Sequence, residues 1–323
     1  MTSSTTSTRL ARRRFLTLLA SSAAAGGLAA CGAGATGGGA VNASSLKGVA
    51  PTPAASAAAT AAVSKSVKRG IAYDLASAAD FKALAPGVSW WYNWAAKPNA
   101  AAPVDALTQY GMDYFPMLWN DNFDAAAITA YIQAHGVKYL LLLNEPNLTD
   151  QASMTPQKAA QLWPRYEAIA AATGVKLVGP AMNWGTLAGY SDPVTWLDAF
   201  YAAYQAANGN RAPHIDYLAF HWYDYGLASQ LDRLKKYGKS IWVTEMANWH
   251  SQNDGAQIDT LARQQAQMKD MVATCEARDD VFRYAWFTGR MTSDPHFSSL
   301  LGANGQLTAL GQLYLTLPFK TAR

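Results

Sequence analysis

The chain of 323 residues reads as an α/β protein, a (β/α)8 TIM barrel forming a single catalytic domain. Short apolar runs alternate with longer helical patterns, which argues for parallel strands joined by helical crossovers. Eight such strand-helix units can be counted over about 250 residues, the usual count and size of this barrel. Several runs are near-continuous in apolar residues, as strands buried on both faces should be. A doubly wound sheet is the alternative, but no Gly-rich phosphate loop follows the first strand, which leaves a nucleotide site with little support.

The expected strands, in order, are Arg69 to Asp74, Val88 to Trp94, Asp113 to Trp119, Lys138 to Glu145, Lys176 to Asn183, Ile215 to Tyr223, Ser240 to Met246 and Arg283 to Thr288. Two intervening helices carry clear starts. Thr155-Pro156 and Asp192-Pro193 each place a capping side chain before a proline whose fixed φ suits a first helical turn. Leu162, Tyr166 and Ile169, and then Trp196, Phe200 and Tyr204, recur at helical spacing and mark the faces that pack on the sheet.

Residues 1–30 read as an export signal. Basic residues through Arg14 precede an apolar stretch from Phe15 to Ala30 that is short and rich in Ala and Gly. Leu28-Ala29-Ala30-Cys31 resembles a bacterial lipobox, in which the Cys31 thiol receives a diacylglyceryl group and becomes the first residue. Ordinary cleavage at an Ala-x-Ala-like site, leaving Cys31 as an unpaired thiol, is the alternative. Arg12-Arg13-Arg14 also resembles a twin-arginine signal, though basic residues precede the apolar stretch on every export route. Residues 31–67, made mostly of Ala, Gly, Ser and Thr with Pro51 and Pro53, read as a disordered tether, and 68–320 as the catalytic domain. The expectation is a monomeric lipoprotein of the cell envelope, facing periplasm or exterior and touching the membrane only through a lipid anchor at Cys31.

The net charge of +4 does not describe the folded part. Arg9, Arg12, Arg13 and Arg14 are four of the 26 basic residues, so removing residues 1–30, which contain no acidic residue, leaves 22 basic against 22 acidic. A neutral body gives no footprint for nucleic acid, and eleven tryptophans suggest flat, uncharged partners. Only Cys31 and Cys275 exist, so lipidation of Cys31 leaves no disulfide. Cys275 lies in a helical stretch and reads as a small buried hydrophobe. His135, His214, His221, His250 and His296 share no short ligand spacing, so no metal and no cofactor is expected.

In a barrel of this kind the chemistry sits at the carboxyl ends of the strands. Glu145 and Glu245 each end an apolar run, on the fourth and seventh strands, where burial makes a lone carboxylate costly but lets two divide acid and base work. Glu145, its acidity weakened by the dry pocket and the second carboxylate, would donate a proton to the leaving oxygen, while ionised Glu245 attacks the anomeric carbon. Eight of the eleven tryptophans fall at or beside these strand ends, among amides and histidine. Such a rim suits pyranose rings, whose C–H faces stack on aromatics while hydroxyls bond polar side chains. Trp91, Trp222 and Trp286 are the expected stacking residues, with Tyr92 and Trp119 as further substrate contacts, whereas Trp90 and Trp94 could equally cap the barrel core. Asn144 would bond the sugar 2-hydroxyl, and His221 and Tyr223 would orient Glu245. Glu167 and Glu276 lie within helical runs and read as solvated.

The motifs Asn144-Glu145-Pro146 and Thr244-Glu245 resemble those of the clan A retaining glycoside hydrolases. More closely, Trp91 to Trp94, Pro116 to Trp119, His221-Trp222-Tyr223, Ile241 to Glu245 and Leu300 to Thr308 resemble glycoside hydrolase family 128 over nearly the whole folded region. The resemblance implies a (β/α)8 barrel acting on β-1,3-glucan, with Glu145 as acid/base and Glu245 as nucleophile, and so a polysaccharide substrate. An endo-β-1,3-glucanase is the first reading; another β-linked polysaccharide, or a non-hydrolytic carbohydrate-binding lipoprotein, is the alternative. Asn147 departs from the pattern, which favours Asp after Asn-Glu-Pro.

Overall fold

The protein is described by a computed structural model over residues 65–320. The expected signal, Cys31 and all but the last three tether residues lie outside them. Among the described residues nine strands form one sheet: β1 (Arg69–Ala72), β2 (Trp90–Tyr92), β3 (Asp113–Tyr114), β4 (Met117–Leu118), β5 (Tyr139–Leu142), β6 (Lys176–Met182), β7 (Tyr217–Trp222), β8 (Ile241–Met246) and β9 (Val281–Trp286). The order is β3-β2-β1-β9-β8-β7-β6-β5-β4, with every pairing parallel. A doubly wound sheet would reverse at a switch point, and this order does not.

The helices are α1 (Ala78–Leu84), α2 (Ala106–Tyr110), α3 (Ala125–His135), α4 (Pro156–Thr173), α5 (Pro193–Ala207), α6 (Leu227–Leu234), α7 (Leu261–Ala277) and α8 (Ala309–Thr316). The expected caps form: Thr155 Oγ1 accepts from the Lys158 amide at 3.2 Å, and Asp192 Oδ1 from Val194 at 2.7 Å. Trp196, Phe200 and Tyr204 are fully buried, as their spacing predicts. Burying a side chain such as Phe200 contributes about 1.5–3 kcal/mol.

The strand count differs from the expected eight because the run from Asp113 to Trp119 is divided. Pro116 has no N–H to give to a ladder. β3 pairs only with β2 and β4 only with β5. Between them the Phe115 amide donates to Trp91 O at 3.1 Å, while Pro116 O accepts from Leu141 at 2.9 Å. The sheet is thus a curled, nine-stranded parallel sheet with helices packed on it.

Two arginines fasten the end of the sheet opposite the site. The buried Arg69 guanidinium donates to Tyr314 O and Leu317 O, both at 2.7 Å, and so ties the end of α8 and the chain after it to β1. Arg283 lies over the rings of Phe115, Trp242 and Phe282 at 5.3–5.5 Å. Glu276, expected in solvent, is buried; its Oε1 accepts from Ser66 and from the Tyr284 hydroxyl. Lys65 is already tied to the fold: its ammonium donates to Ala85 O, Val88 O and Tyr110 O at 2.7–3.0 Å.

Candidate active site

Glu145 follows β5 by three residues, and the backbone is bent to place it. Leu143 and Glu145 both have positive φ, 50° and 46°, which costs a non-glycine residue about 1–3 kcal/mol. The turn is held because the Glu145 amide donates to Ala181 O at 2.8 Å and Asn144 bridges to Ala181 beyond the end of the ladder. On β6 the register slips between Val178 and Ala181, at Gly179. A Cβ there would stand 2.6 Å from Leu142 O, so only glycine lets β5 and β6 approach this closely.

Glu245 comes from β8, where a second slip falls between Val243 and Met246. Strict alternation would send sequence neighbours to opposite faces. Here Thr244 and Glu245 both reach the site. His221 on β7 connects them: its Nδ1 lies 2.8 Å from Glu145 Oε1 and 3.4 Å from Glu245 Oε2, and its Nε2 lies 2.9 Å from Thr244 Oγ1. All three of Glu145, His221 and Glu245 are fully buried.

The two carboxylates have different surroundings. Glu145 Oε1 also accepts from Asn183 Nδ2 at 3.1 Å. Glu245 Oε1 accepts from Trp94 Nε1 at 2.8 Å and from the Tyr92 hydroxyl at 3.0 Å, while the Tyr223 hydroxyl donates to Oε2. Of the side chains bonded to the pair, Asn183 and Tyr223 are 9% and 6% exposed and Trp94 is half-buried. A carboxylate oxygen of each glutamate and a ring nitrogen of His221 lie within 4.8 Å of one another. Such a set is able to hold a cation, which sequence spacing did not reveal, and the hydrogen bonds between the groups account for its arrangement.

Asn144 is buried, with Nδ2 donating to Gln151 Oε1 at 3.0 Å and Oδ1 without a hydrogen-bond partner. Trp119 and Trp222 are half-buried, and so is Trp184. Trp91 and Trp286 are placed differently from expectation. Trp91 packs edge-on against Phe81 of α1 at 4.8 Å, and Trp286 donates to Ser298 O at 2.8 Å and lies beside Tyr314 of α8. Both are core residues, 3% and 0% exposed, with no face free for a sugar. Trp90 and Trp249 are core as well, so the half-buried members of the rim are Trp94, Trp119, Trp184 and Trp222. Cys275 is fully buried, and burial pushes its thiol far up, as befits a packing residue.

Comparison with known proteins adds the family. A family profile described as a glycosyl hydrolase catalytic core matches residues 70–314. An endo-β-1,3-glucanase of family 128, subgroup II, from Pseudomonas viridiflava is 65% identical, with a TM-score of 0.79 over 80% of this chain and 100% of its own. The chain belongs to glycoside hydrolase family 128.

A second subgroup II endo-β-1,3-glucanase, from Sorangium cellulosum, is 36% identical with a TM-score of 0.67, over 79% of this chain and 100% of its own. A subgroup I family 128 endo-β-1,3-glucanase from Amycolatopsis mediterranei, solved with laminaritriose, is 29% identical with a TM-score of 0.61, over 77% of this chain and 98% of its own. Variants of that enzyme at two different glutamates were crystallised with laminari-oligosaccharides. No curated protein matches. Against the family 128 pattern, Asn147 has a local reason. Its Nδ2 donates to Asn183 O at 2.6 Å and Ser191 O at 3.2 Å, a pair of bonds that an ionised aspartate could not make. Asn183 and Thr244 are the site residues to which sequence reasoning gave no role, though both are polar residues towards strand ends, and Trp94 is one that it left undecided.

Proposed function

We propose that this family 128 hydrolase is a retaining endo-β-1,3-glucanase, with Glu145 as acid/base and Glu245 as nucleophile. The observation that carries the reading is the pair of buried carboxylates with oxygens within 4.8 Å. Direct attack and retention need carboxyl groups about 5–5.5 Å apart, whereas inversion needs a wider gap to admit water. Endo action on β-1,3-glucan is supported by the two subgroup II relatives, both endo-β-1,3-glucanases.

The roles differ because the hydrogen bonds differ. Three donors, from Tyr92, Trp94 and Tyr223, converge on Glu245, an arrangement suited to an attacking carboxylate. Glu145 shares one oxygen with His221 and Asn183. In its protonated form it gives its proton to the departing glycosidic oxygen as Glu245 bonds to the anomeric carbon; it then takes a proton from the water that hydrolyses the ester. Asn144 Oδ1, an acceptor lacking a donor, is suited to the sugar 2-hydroxyl. Trp119 and Trp222 are suited to stacking.

The sheet is read as a closed eight-stranded barrel, with β3 and β4 as two halves of one strand whose halves pair with opposite neighbours. The chain is further proposed to act as a monomeric lipoprotein of the cell envelope, anchored at Cys31, on the sequence motif Leu28-Ala29-Ala30-Cys31. Laminarin and curdlan incubated with soluble protein lacking residues 1–30 should yield mixed oligosaccharides from the outset, with the β-anomer of each new reducing end appearing first by NMR. Folded protein that releases no reducing ends would sink the glucanase reading. A single product from the first minutes would mean exo action, and an initial α-anomer an inverting mechanism.

A further inference from the structure

Trp94 stands two residues beyond β2 with φ of +59°, a conformation rare for a bulky side chain. Neighbours on both sides hold it there. Asn93 Nδ2 donates to Asp74 Oδ1 at 2.9 Å, Asn93 Oδ1 accepts from the Tyr114 hydroxyl at 2.6 Å, and Ala95 O accepts from the Met117 amide at 2.8 Å. Asp74 is itself fixed through Oδ2 by Asn99 Nδ2 at 2.8 Å. The indole lies edge-on to Tyr92 and Phe287, at 5.3 and 5.8 Å, and its Nε1 comes to 2.8 Å from Glu245 Oε1. An observed backbone outlier over-determined by its surroundings, and ending in a bond to one atom, invites a functional reading.

We propose that Trp94 is a positioning residue that reserves Glu245 Oε1 as the spectator oxygen and directs attack through Oε2. This rests on Glu245 being the nucleophile. An indole N–H only donates, so it can neither take a proton from Glu245 nor turn into an acceptor during the cycle. As Oε2 forms its bond to the anomeric carbon, the glycosidic C–O bond breaks, its electron pair stays on the leaving oxygen, and that oxygen takes the proton of Glu145. Oε1 becomes the ester carbonyl and keeps the indole bond. In the second step water adds to the anomeric carbon and loses a proton to Glu145. The electron pair of the C–Oε2 bond returns to Glu245, and Oε1 again shares the charge beside the indole. The carboxylate is thereby kept from rotating about its own C–C bond, while the hydroxyl of Tyr223 and the edge of His221 face the reacting oxygen.

The test is Trp94→Phe, which keeps an aromatic ring and removes the N–H. With a 2,4-dinitrophenyl laminari-oligoside, whose leaving group departs without a proton, kcat should fall by about 10- to 100-fold while KM changes less than about threefold. Glu145→Ala should release dinitrophenol in an initial burst, because only its second step is slowed. Trp94→Phe should show no separation between the activated substrate and laminarin, losing rate on both alike. If Trp94→Phe fails to fold, 3-benzothienylalanine at position 94, an isostere in which sulfur replaces the N–H, takes its place in the same assay. Turnover within twofold of the parent by the folded variant overturns the proposal. Azide with Glu245→Ala separates the two readings: without an α-glycosyl azide the nucleophile assignment itself fails, whereas azide product together with an unaffected Trp94→Phe rejects only the role of Trp94.

Discussion

Asn147→Asp exchanges one NH2 group for an oxygen at the joint between the loops after β5 and β6. Asn147 is fully buried, its Nδ2 supplies donors to Asn183 O and Ser191 O, and its Oδ1 has no hydrogen-bond partner. The substitution removes two hydrogen bonds, worth about 1 kcal/mol each, and sets a second acceptor against two carbonyls, at a cost of about 1–3 kcal/mol for the unsatisfied groups. A loss of about 3–5 kcal/mol follows, or roughly 6–20 °C in Tm for a domain of this size. The pH dependence has a fixed sign. With no donor and no cation bonded to it, the introduced carboxyl would titrate above its unfolded value near 3.9, so the deficit is smallest below that pH and grows as pH rises from there to the folded value. Activity should fall as well, because Asn183, whose carbonyl Asn147 holds, donates to Glu145. Thermal unfolding followed by circular dichroism at pH 4 and pH 7.5 gives both numbers. A Tm within 2 °C of the parent at pH 7.5 would refute the claim that the two donated bonds fix this joint.

Three further outcomes are expected. Glu245→Ala should lose at least a thousandfold in turnover yet still bind laminari-oligosaccharide, and azide should restore some rate as a glycosyl azide of inverted configuration; an unchanged rate would misplace the nucleophile. A protein beginning at Lys68 should be less stable than one beginning upstream of Lys65 by about 3–5 kcal/mol, because it forfeits the three carbonyl bonds of Lys65 and the Ser66 bond to Glu276; equal denaturation midpoints would contradict this. Burial draws the Lys65 ammonium down to about 8 from 10.5, so between those pH values the unfolded chain binds more protons and stability should rise with pH, a slope that Lys65→Met should flatten.

What is legible in the sequence, and what is not, follows from the geometry of strands. Glu145 and Glu245 can be found because a charge ending an apolar run is conspicuous, and His221 and Tyr223 because they flank a strand end on the same side. Trp91 and Trp286 mislead because aromatic density does not say which face a residue takes. Successive residues of β2 alternate: Trp90 and Tyr92 point inward, to Trp242 and to Glu245, while Trp91 meets Phe81 of α1. Trp286 likewise turns to Tyr314 of α8. Thr244 escapes notice for the opposite reason, since the slip in β8 breaks alternation where the site needs two consecutive residues. Trp94 stays undecided in the sequence because its role depends on a positive φ, which nothing in its own side chain announces. The divided third strand follows from Pro116, whose missing N–H is visible in the sequence but whose effect on pairing depends on the neighbours that lie on either side.

The asymmetry of the two glutamates is created by the groups around them, not by their positions, since both lie towards the carboxyl side of a strand and both are wholly buried. One imidazole lies against both carboxylates, closer to Glu145 than to Glu245. A neutral ring has a single N–H, and with Nε2 engaged by Thr244 the Nδ1 position faces the pair. Two ionised carboxylates this close would repel each other, and one shared imidazole cannot neutralise both. The two glutamates differ in their donors, which agrees with the proposed division into acid and nucleophile. Glu245 accepts from two phenols and an indole, which hold a carboxylate well; Glu145 accepts from an amide beside the histidine. Tyr92, which the sequence reading assigned to the sugar, thus touches Glu245, as does Tyr223, expected there to orient it. Replacing either with Phe should cut turnover more than affinity, and an equal rise in KM instead would return them to the substrate.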